Sequence, residues 1–394
     1  MSEWIECKLG DVSEITSSKR IFYSDYVSNG IPFWRSKEVI EKFNRKVTTT
    51  SLFISHEKYA EIKNKFGVPR PNDILLTSVG TLGIPYLVDD YEPFYFKDGN
   101  LTWIRNIDEE KLHPKYLYKW LASQNGRDSL GEITIGSTQE ALTIIGLKNL
   151  NLLLPPLEEQ KAIAEVLSSL DDKIDLLHCQ NRTLEELAQT LFRQWFIEEA
   201  KEEWEEKPLG ELVTIKRGGS PRPIQDYLSD NGLRWLKISD ASSLNSPFVF
   251  AIKEHIKEEG LSKTTLLKTG SLVLSNSATP GIPKILQVDS CIHDGWLHFP
   301  KSYFSNEFLY LLFLYIRPQL LMQGNGSIFT NLKTDILKEF VIPIPDEKSL
   351  ADFQIQVCSI FEKLLSNEKQ IQTLENLRDT LLPKLMSGEV RVKI

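Results

Sequence analysis

A chain of 394 residues, 41% hydrophobic and 25% charged, is long enough to bury two separate cores. No apolar run approaches the roughly 20 residues of a membrane span, and the start MSEWIECKLG lacks the basic-then-apolar plan of a secretion signal, so a cytoplasmic protein away from membranes is expected. The net charge of −8 argues against a uniformly basic surface, and the four cysteines (Cys7, Cys179, Cys291, Cys358) form no C-x-x-C pair, which suits free thiols in a reducing compartment.

Residues 1–155 carry short β-branched and aromatic runs, such as DILLTSVG, PFYFKDG and LTWIR, cut by Gly, Pro and Asn turns. That texture predicts a mixed α/β domain with a substantial sheet. Residues 156–200 read as a long helix entered through Leu153-Leu154-Pro155-Pro156. In it, Ile163, Leu167, Leu170, Ile174, Leu177, Asn181, Leu184, Ala188, Leu191 and Trp195 recur at steps of four and three. Residues 201–345 return to the first texture, and residues 346–388 form a second helix after Ile342-Pro343-Ile344-Pro345. Its seam runs Phe353, Val357, Ile360, Leu364, Asn367, Ile371, Leu374, Arg378, Leu381 and Leu385. Pro383 is expected to bend the last turn and Gly388 to end it, before a strand-like tail, EVRVKI, at 389–394.

The acid excess is local. Residues 156–206 hold 14 acidic against 5 basic side chains, whereas 1–155 hold 20 against 19 and 207–345 hold 12 against 15. The two domain-like segments are close to neutral, which permits contact with a polyanion without demanding it.

The order of landmarks repeats. Trp4–Leu9–Gly10 returns as Trp204–Leu209–Gly210, and Trp34 as Trp235. Thr81, Gly83, Ile84 and Pro85 fall on Thr279, Gly281, Ile282 and Pro283. Asp98-Gly99 returns as Asp294-Gly295, Gly136-Ser137 as Gly326-Ser327, and TLEELAQTL as TLENLRDTL. One module is duplicated, at a period too long for a solenoid.

A sustained 3.5-residue repeat is the seam of a coiled coil. Both helices follow equivalent domains in one chain, so a two-fold-like relation would set them antiparallel with a domain at either end. Residue numbers across the seam then add to 548 for Ile163 with Leu385, and equally for Asn181 with Asn367. The two seam asparagines should therefore face each other and fix the register. The fold class is mixed α/β: two duplicated domains and two long antiparallel coiled-coil helices, related by pseudo-two-fold symmetry.

Domain, helix, domain, helix, with LPPLEEQKAIAEVLSSLDDKI after the first domain and LENLRDTLLPKLMSGEVRV at the end, resembles the specificity subunit of Type I restriction-modification systems. The resemblance covers essentially the whole chain. It implies two target-recognition domains that each read half of an interrupted double-stranded DNA site, with the paired helices as ruler and docking platform. It implies partners too: two modification subunits carrying S-adenosylmethionine, and restriction subunits using ATP and Mg, with no cofactor on this chain. Two places depart from the pattern: the second helix begins DEKSLADF where the first has LEEQKAIAEV, and TSSKR in the first domain stands where the second has GGSPRP. A modification-only complex, a stand-alone DNA-binding regulator and an enzyme of unfamiliar type remain as alternatives.

Catalytic signatures are missing. The one Pro-Pro is Leu-Pro-Pro-Leu at 154–157, not the Asn/Asp-Pro-Pro-aromatic loop of amino-group methyltransferases, and no G-x-x-x-x-G-K-[ST] loop occurs. The histidines (His56, His113, His178, His255, His293, His298) show no metal-ligand spacing, and Asp346-Glu347-Lys348 reads as a helix cap. A non-catalytic DNA reader needs Arg/Lys forks, amides and hydroxyls. In the first domain the candidates are Lys19, Arg20, Arg35, Ser36, Lys37, Ser78, Thr81, Ser137, Thr138 and Gln139. In the second they are Lys216, Arg217, Arg222, Lys237, Ser275, Asn276, Ser277, Thr279, Ser327 and Asn331. Trp34 and Trp235 are assigned to the core rather than to base stacking.

Overall fold

The computed structural model describes residues 4–89, 92–136, 140–322 and 331–393. The chain forms two compact units, Met1–Ile174 with Thr373–Ile394, and Asp175–Gln372. Both unit boundaries fall inside long helices, Leu157–Arg193 and Glu347–Ser387, so segments 156–200 and 346–388 are shared between the units.

In the first unit an antiparallel four-stranded sheet runs in the order Glu14–Thr16, Leu101–Arg105, Ile74–Thr77, Pro85–Leu87. A second sheet orders Tyr26–Val27, Phe53–Ile54, Ile31–Trp34 and Tyr95–Phe96, the last pair parallel. The second unit repeats both orders and adds one strand to each. Val213–Arg217, Trp296–Ser302, Leu272–Ser275 and Pro283–Leu286 gain Phe248–Val249. Leu228–Ser229, His255–Ile256, Leu233–Leu236 and Ser290–Ile292 gain Thr265–Leu267. Each unit also pairs its entry strand with the strand before its long helix: Ile5–Lys8 with Asn151–Leu154, and Glu206–Pro208 with Val341–Pro343.

The helices run antiparallel within each unit. In the first, Ile163 and Leu167 share a core with Leu385 and Met386, and Asp171 accepts from Arg378 at 3.0 Å. In the second, Phe192, Trp195 and Phe196 gather around Phe353, while Asn367 Nδ2 donates to Asn181 Oδ1 at 2.9 Å. The asparagine layer thus forms as the seam arithmetic requires. Phe192, Phe196 and Phe361 lie off the heptad yet are buried with domain residues such as Phe308 and Phe313. The apolar stripe is wider than a bare coiled-coil seam because each part of a helix also closes the core of the unit in which it lies.

The two units treat equivalent helix positions differently. Asp171 accepts from Lys119, Arg45 and Arg378, a charged knot. Setting TLEELAQTL on TLENLRDTL, and YLYK of 116–119 on FLYL of 308–311, matches Asp171, Arg378 and Lys119 with Phe361, Ala188 and Leu311, all buried and apolar in the second unit.

Asp346 caps the second helix by accepting the Ser349 N–H at 2.9 Å, and Lys201 and Trp204 also donate to it. The helix runs through Pro383 to Ser387, and Gly388 ends it with φ +75°, a left-handed turn that suits glycine. The tail departs from expectation: residues 389–393 form no strand. Arg391 instead reaches the buried Glu159 carboxylate, and pairing that charge satisfies this segment better than an edge strand would. Among the described residues no helix is long and apolar enough to cross a membrane.

Candidate nucleic-acid interface

The Gly-rich loops are built identically. The strand-end hydroxyl of Thr77 accepts the Ile84 N–H at 2.9 Å, and the hydroxyl of Ser275 accepts that of Ile282 at 2.9 Å. Gly83 and Gly281 adopt φ +74° and +80° and donate to the Thr77 and Ser275 carbonyls, each at 2.8 Å. The main chain then locks the following segment: Leu142 donates to the Ser78 carbonyl and Leu332 to that of Asn276.

This geometry corrects three candidates. Ser78 is buried, its hydroxyl held by Thr102 at 2.6 Å and by the Leu76 carbonyl. Ser275 is buried, bonded to the Thr279 carbonyl. Asn276 is buried, with Nδ2 donating to the Asp294 carbonyl at 3.3 Å. They close the loop from inside, and a ligand outside meets Thr81 and Thr279, which are exposed. Ser277 is half-buried and bridged to the exposed Asn331. Ser137, Thr138, Gln139 and Ser327 lie outside the described residues.

The Asp-Gly turns organise the basic residues. In the first unit Arg20 Nε donates to Asp98 Oδ2 at 2.8 Å, and the Lys19 main-chain N–H donates to the buried Tyr95 hydroxyl at 2.7 Å. In the second, Asp294 gathers Ser220 (2.8 Å), His293 Nε2 (3.1 Å) and Arg222 Nη2 (3.3 Å), and its carbonyl accepts from Arg217 Nε at 2.5 Å. His293 Nδ1 accepts the Gly295 N–H at 2.8 Å, which leaves its proton on Nε2, toward Asp294. Burial pushes the His293 imidazolium below its ordinary range, and the Asp294 charge only partly restores it. Burial favours the acid form of Asp294, yet Ser220, His293, Arg217 and Arg222 together hold its pKa down.

The helix entries after Trp34 and Trp235 also match. Arg35 N–H donates to Glu38 and Lys237 N–H to Asp240, each main-chain group capped by a carboxylate three residues on. Side chains here are already engaged: Arg35 with buried Glu38, Lys37 with Thr49 and Glu41, Lys237 with Glu254, and Ser36 at 3.5 Å from the Asn100 carbonyl. Trp34 stacks on Phe94 and Trp235 is buried against His293, so both are core residues. Lys216 is exposed, across the strands from His298, whose imidazolium is disfavoured by burial and by that lysine.

Candidates therefore converge around Asp98 and Asp294, with Arg20, Arg217 and Arg222 exposed, and do not converge on the loop interiors. Asp98, Asp294, Ser220 and His293 escaped the sequence reading, although both Asp-Gly pairs stood out as repeat landmarks. The exposed Phe22 and Tyr23, two and three residues after Arg20, escaped it as well. Among the described residues no group of three or more His, Cys, Asp or Glu side chains could hold a metal ion.

A family model described as the Type I restriction modification DNA specificity domain matches residues 1–186 and again 201–376. The Type I restriction enzyme MjaIX specificity subunit of Methanocaldococcus jannaschii is 26% identical, over 99% of this chain and 94% of that protein. The HindI specificity subunit of Haemophilus influenzae is 23% identical, over 99% of this chain and all (100%) of that one. Among solved structures, the S subunit of a Type I restriction-modification system from M. genitalium superposes with a TM-score of 0.64 at 17% identity, covering 97% of this chain and 96% of that one. This last likeness speaks to the fold.

Proposed function

The chain belongs to the Type I restriction-modification DNA specificity family, and from that premise we propose how its two units act. It is the DNA-specificity subunit of a Type I restriction-modification complex. Each unit reads one half of an interrupted double-stranded site, and the length of the shared helices sets the unread gap. The observation that carries this is the duplication: one loop architecture, and one Asp-Gly turn that holds exposed arginine, occur once in each unit. Base-edge contacts from such forks specify sequence, and contacts to phosphate fix position.

The chemistry belongs to partners. Two modification subunits bring S-adenosylmethionine, and restriction subunits bring ATP and Mg. This chain binds none of these and catalyses nothing. The first helix and the segment that follows it, with 14 acidic against 5 basic residues over 156–206, supply an acidic surface on which these partners dock.

The test is to map methylated bases in a host carrying a modification subunit, with and without this chain. Methylation of a two-part sequence only when the chain is present supports the proposal. Methylation without cleavage, even with a restriction subunit supplied, assigns the chain to a modification-only complex. DNA binding that directs no methylation would make it a regulator and overturn the proposal.

A further inference from the structure

We infer that Asp98 is a positioning residue that aims the Arg20 guanidinium at a guanine of the half-site read by the first unit. The inference rests on that unit's role as a DNA reader.

Arg20 is 68% exposed in its side chain and Asp98 only 18%. The pair is asymmetric: a nearly sunken carboxylate holds a guanidinium that otherwise stands in solvent. Contact is through Nε at 2.8 Å. An arginine has five N–H donors in a planar fork. Engaging Nε leaves both terminal nitrogens, the edge that matches guanine O6 and N7.

The base of the fork is fixed as well. The chain one residue earlier is tied to the Tyr95 hydroxyl, and Tyr95 lies in the strand that leads to Asp98. Gly99 N–H donates to the Ser17 hydroxyl at 3.4 Å, closing the frame from the other side. A long side chain held at Nε above a tied main chain loses less freedom on binding than a free one. The loop beyond it projects outward, with Phe22 63% and Tyr23 91% exposed.

Stability gives little reason for this pair, because exposed ion pairs contribute almost nothing to folding. Yet the second unit builds the same turn from a different loop, GGSPRP in place of TSSKR. There Arg222 reaches the Asp294 carboxylate, and Arg217 uses Nε on the Asp294 carbonyl, again leaving its terminal fork free. Two dissimilar loops arriving at arginine held by an Asp-Gly turn point to a shared task on the ligand side.

The experiment compares the wild-type chain with Arg20→Lys, Arg20→Ala and Asp98→Asn, each in complex with its modification partner. The readouts are methylation of a library randomised at both half-sites, the salt dependence of binding, and thermal unfolding. The expected result is a G·C pair in one half-site whose discrimination falls roughly 10-fold or more in Arg20→Lys and Arg20→Ala. Asp98→Asn relaxes that same position to a smaller degree, and the other half-site and the unfolding temperature do not move. Uniform weakening with a salt slope reduced by about 1 would mark a phosphate contact and overturn the inference. Unchanged specificity, or a half-site with no G·C pair that responds to Arg20, overturns it too. A wild-type chain that directs no two-part methylation would instead remove the parent proposal, so the two failures are distinguishable.

Discussion

Replacing Asn181 and Asn367 together by leucine should stabilise the second unit, while replacing either alone should not. Asn367 Nδ2 has two acceptors, Asn181 Oδ1 at 2.9 Å and Gln180 Oε1 at 3.4 Å, but its own Oδ1 is buried with no donor. Asn181 Nδ2 donates to Glu368 at 2.8 Å. An unsatisfied buried polar atom costs about 1–3 kcal/mol. Asn181→Leu alone removes the better acceptor of Asn367 and leaves both ends of that amide short, a loss of about 1–3 kcal/mol before any gain from the new leucine. The double change deletes both amides, and the flanking seam layers are already Leu177, Leu184, Leu364 and Ile371, so the spacing suits leucine. Swapping a buried polar pair for packed hydrocarbon gains about 1–3 kcal/mol, and the cycle should show a coupling of at least about 1 kcal/mol. Thermal and denaturant unfolding of the wild type, both singles and the double measure it, with roughly 2–4 °C expected per kcal/mol. A double variant less stable than the wild type, or single effects that simply add, would refute the reasoning.

Asp171→Ala should destabilise the first unit by about 3 kcal/mol, the lower end for breaking a buried pair, because it strands the nearly buried Lys119 ammonium; a loss below 1 kcal/mol in denaturant unfolding would contradict this. Burial pushes the Lys284 ammonium down to about 8. The unfolded lysine therefore binds more protons than the folded one between about pH 8 and the ordinary lysine range near 10.4, so stability of the second unit should rise with pH from 8 to 10, by at most about 1.4 kcal/mol per unit. Lys284→Met should flatten that slope, and an unchanged slope in unfolding curves would dismiss it. Titration calorimetry should find no S-adenosylmethionine bound by the isolated chain, with adenine methylation appearing only when a modification subunit is added; tight binding by the chain alone would be a contradiction.

The helices were the most legible part of the sequence, because a heptad is a strict arithmetic pattern and one register alone pairs the asparagines. Arg378 at a seam position was itself a signal: a cation there needs a carboxylate across the layer, and Asp171 supplies it. The sheets were legible as a duplicated texture, but not as the six separate sheets seen among the described residues, with one extra strand on two of those in the second unit. Side-chain direction in the Gly-rich loops was not legible. Ser78, Ser275 and Asn276 look like solvent-facing polar residues in a string, and turn inward because a tight loop must satisfy its own carbonyls and amides. The Asp98 and Asp294 turns were visible as repeats, but their arginine partners lie more than 70 residues away in sequence, a pairing that only the fold supplies.

The most direct test replaces residues 207–340 by the corresponding segment of the Haemophilus influenzae relative and maps methylated bases genome-wide with the modification partner held constant. Base readout is local to each unit, so one half of the methylated site should change to a new sequence while the other half stays as it was. A site altered in both halves, or in neither, would contradict the claim that this chain reads DNA as two independent recognition units.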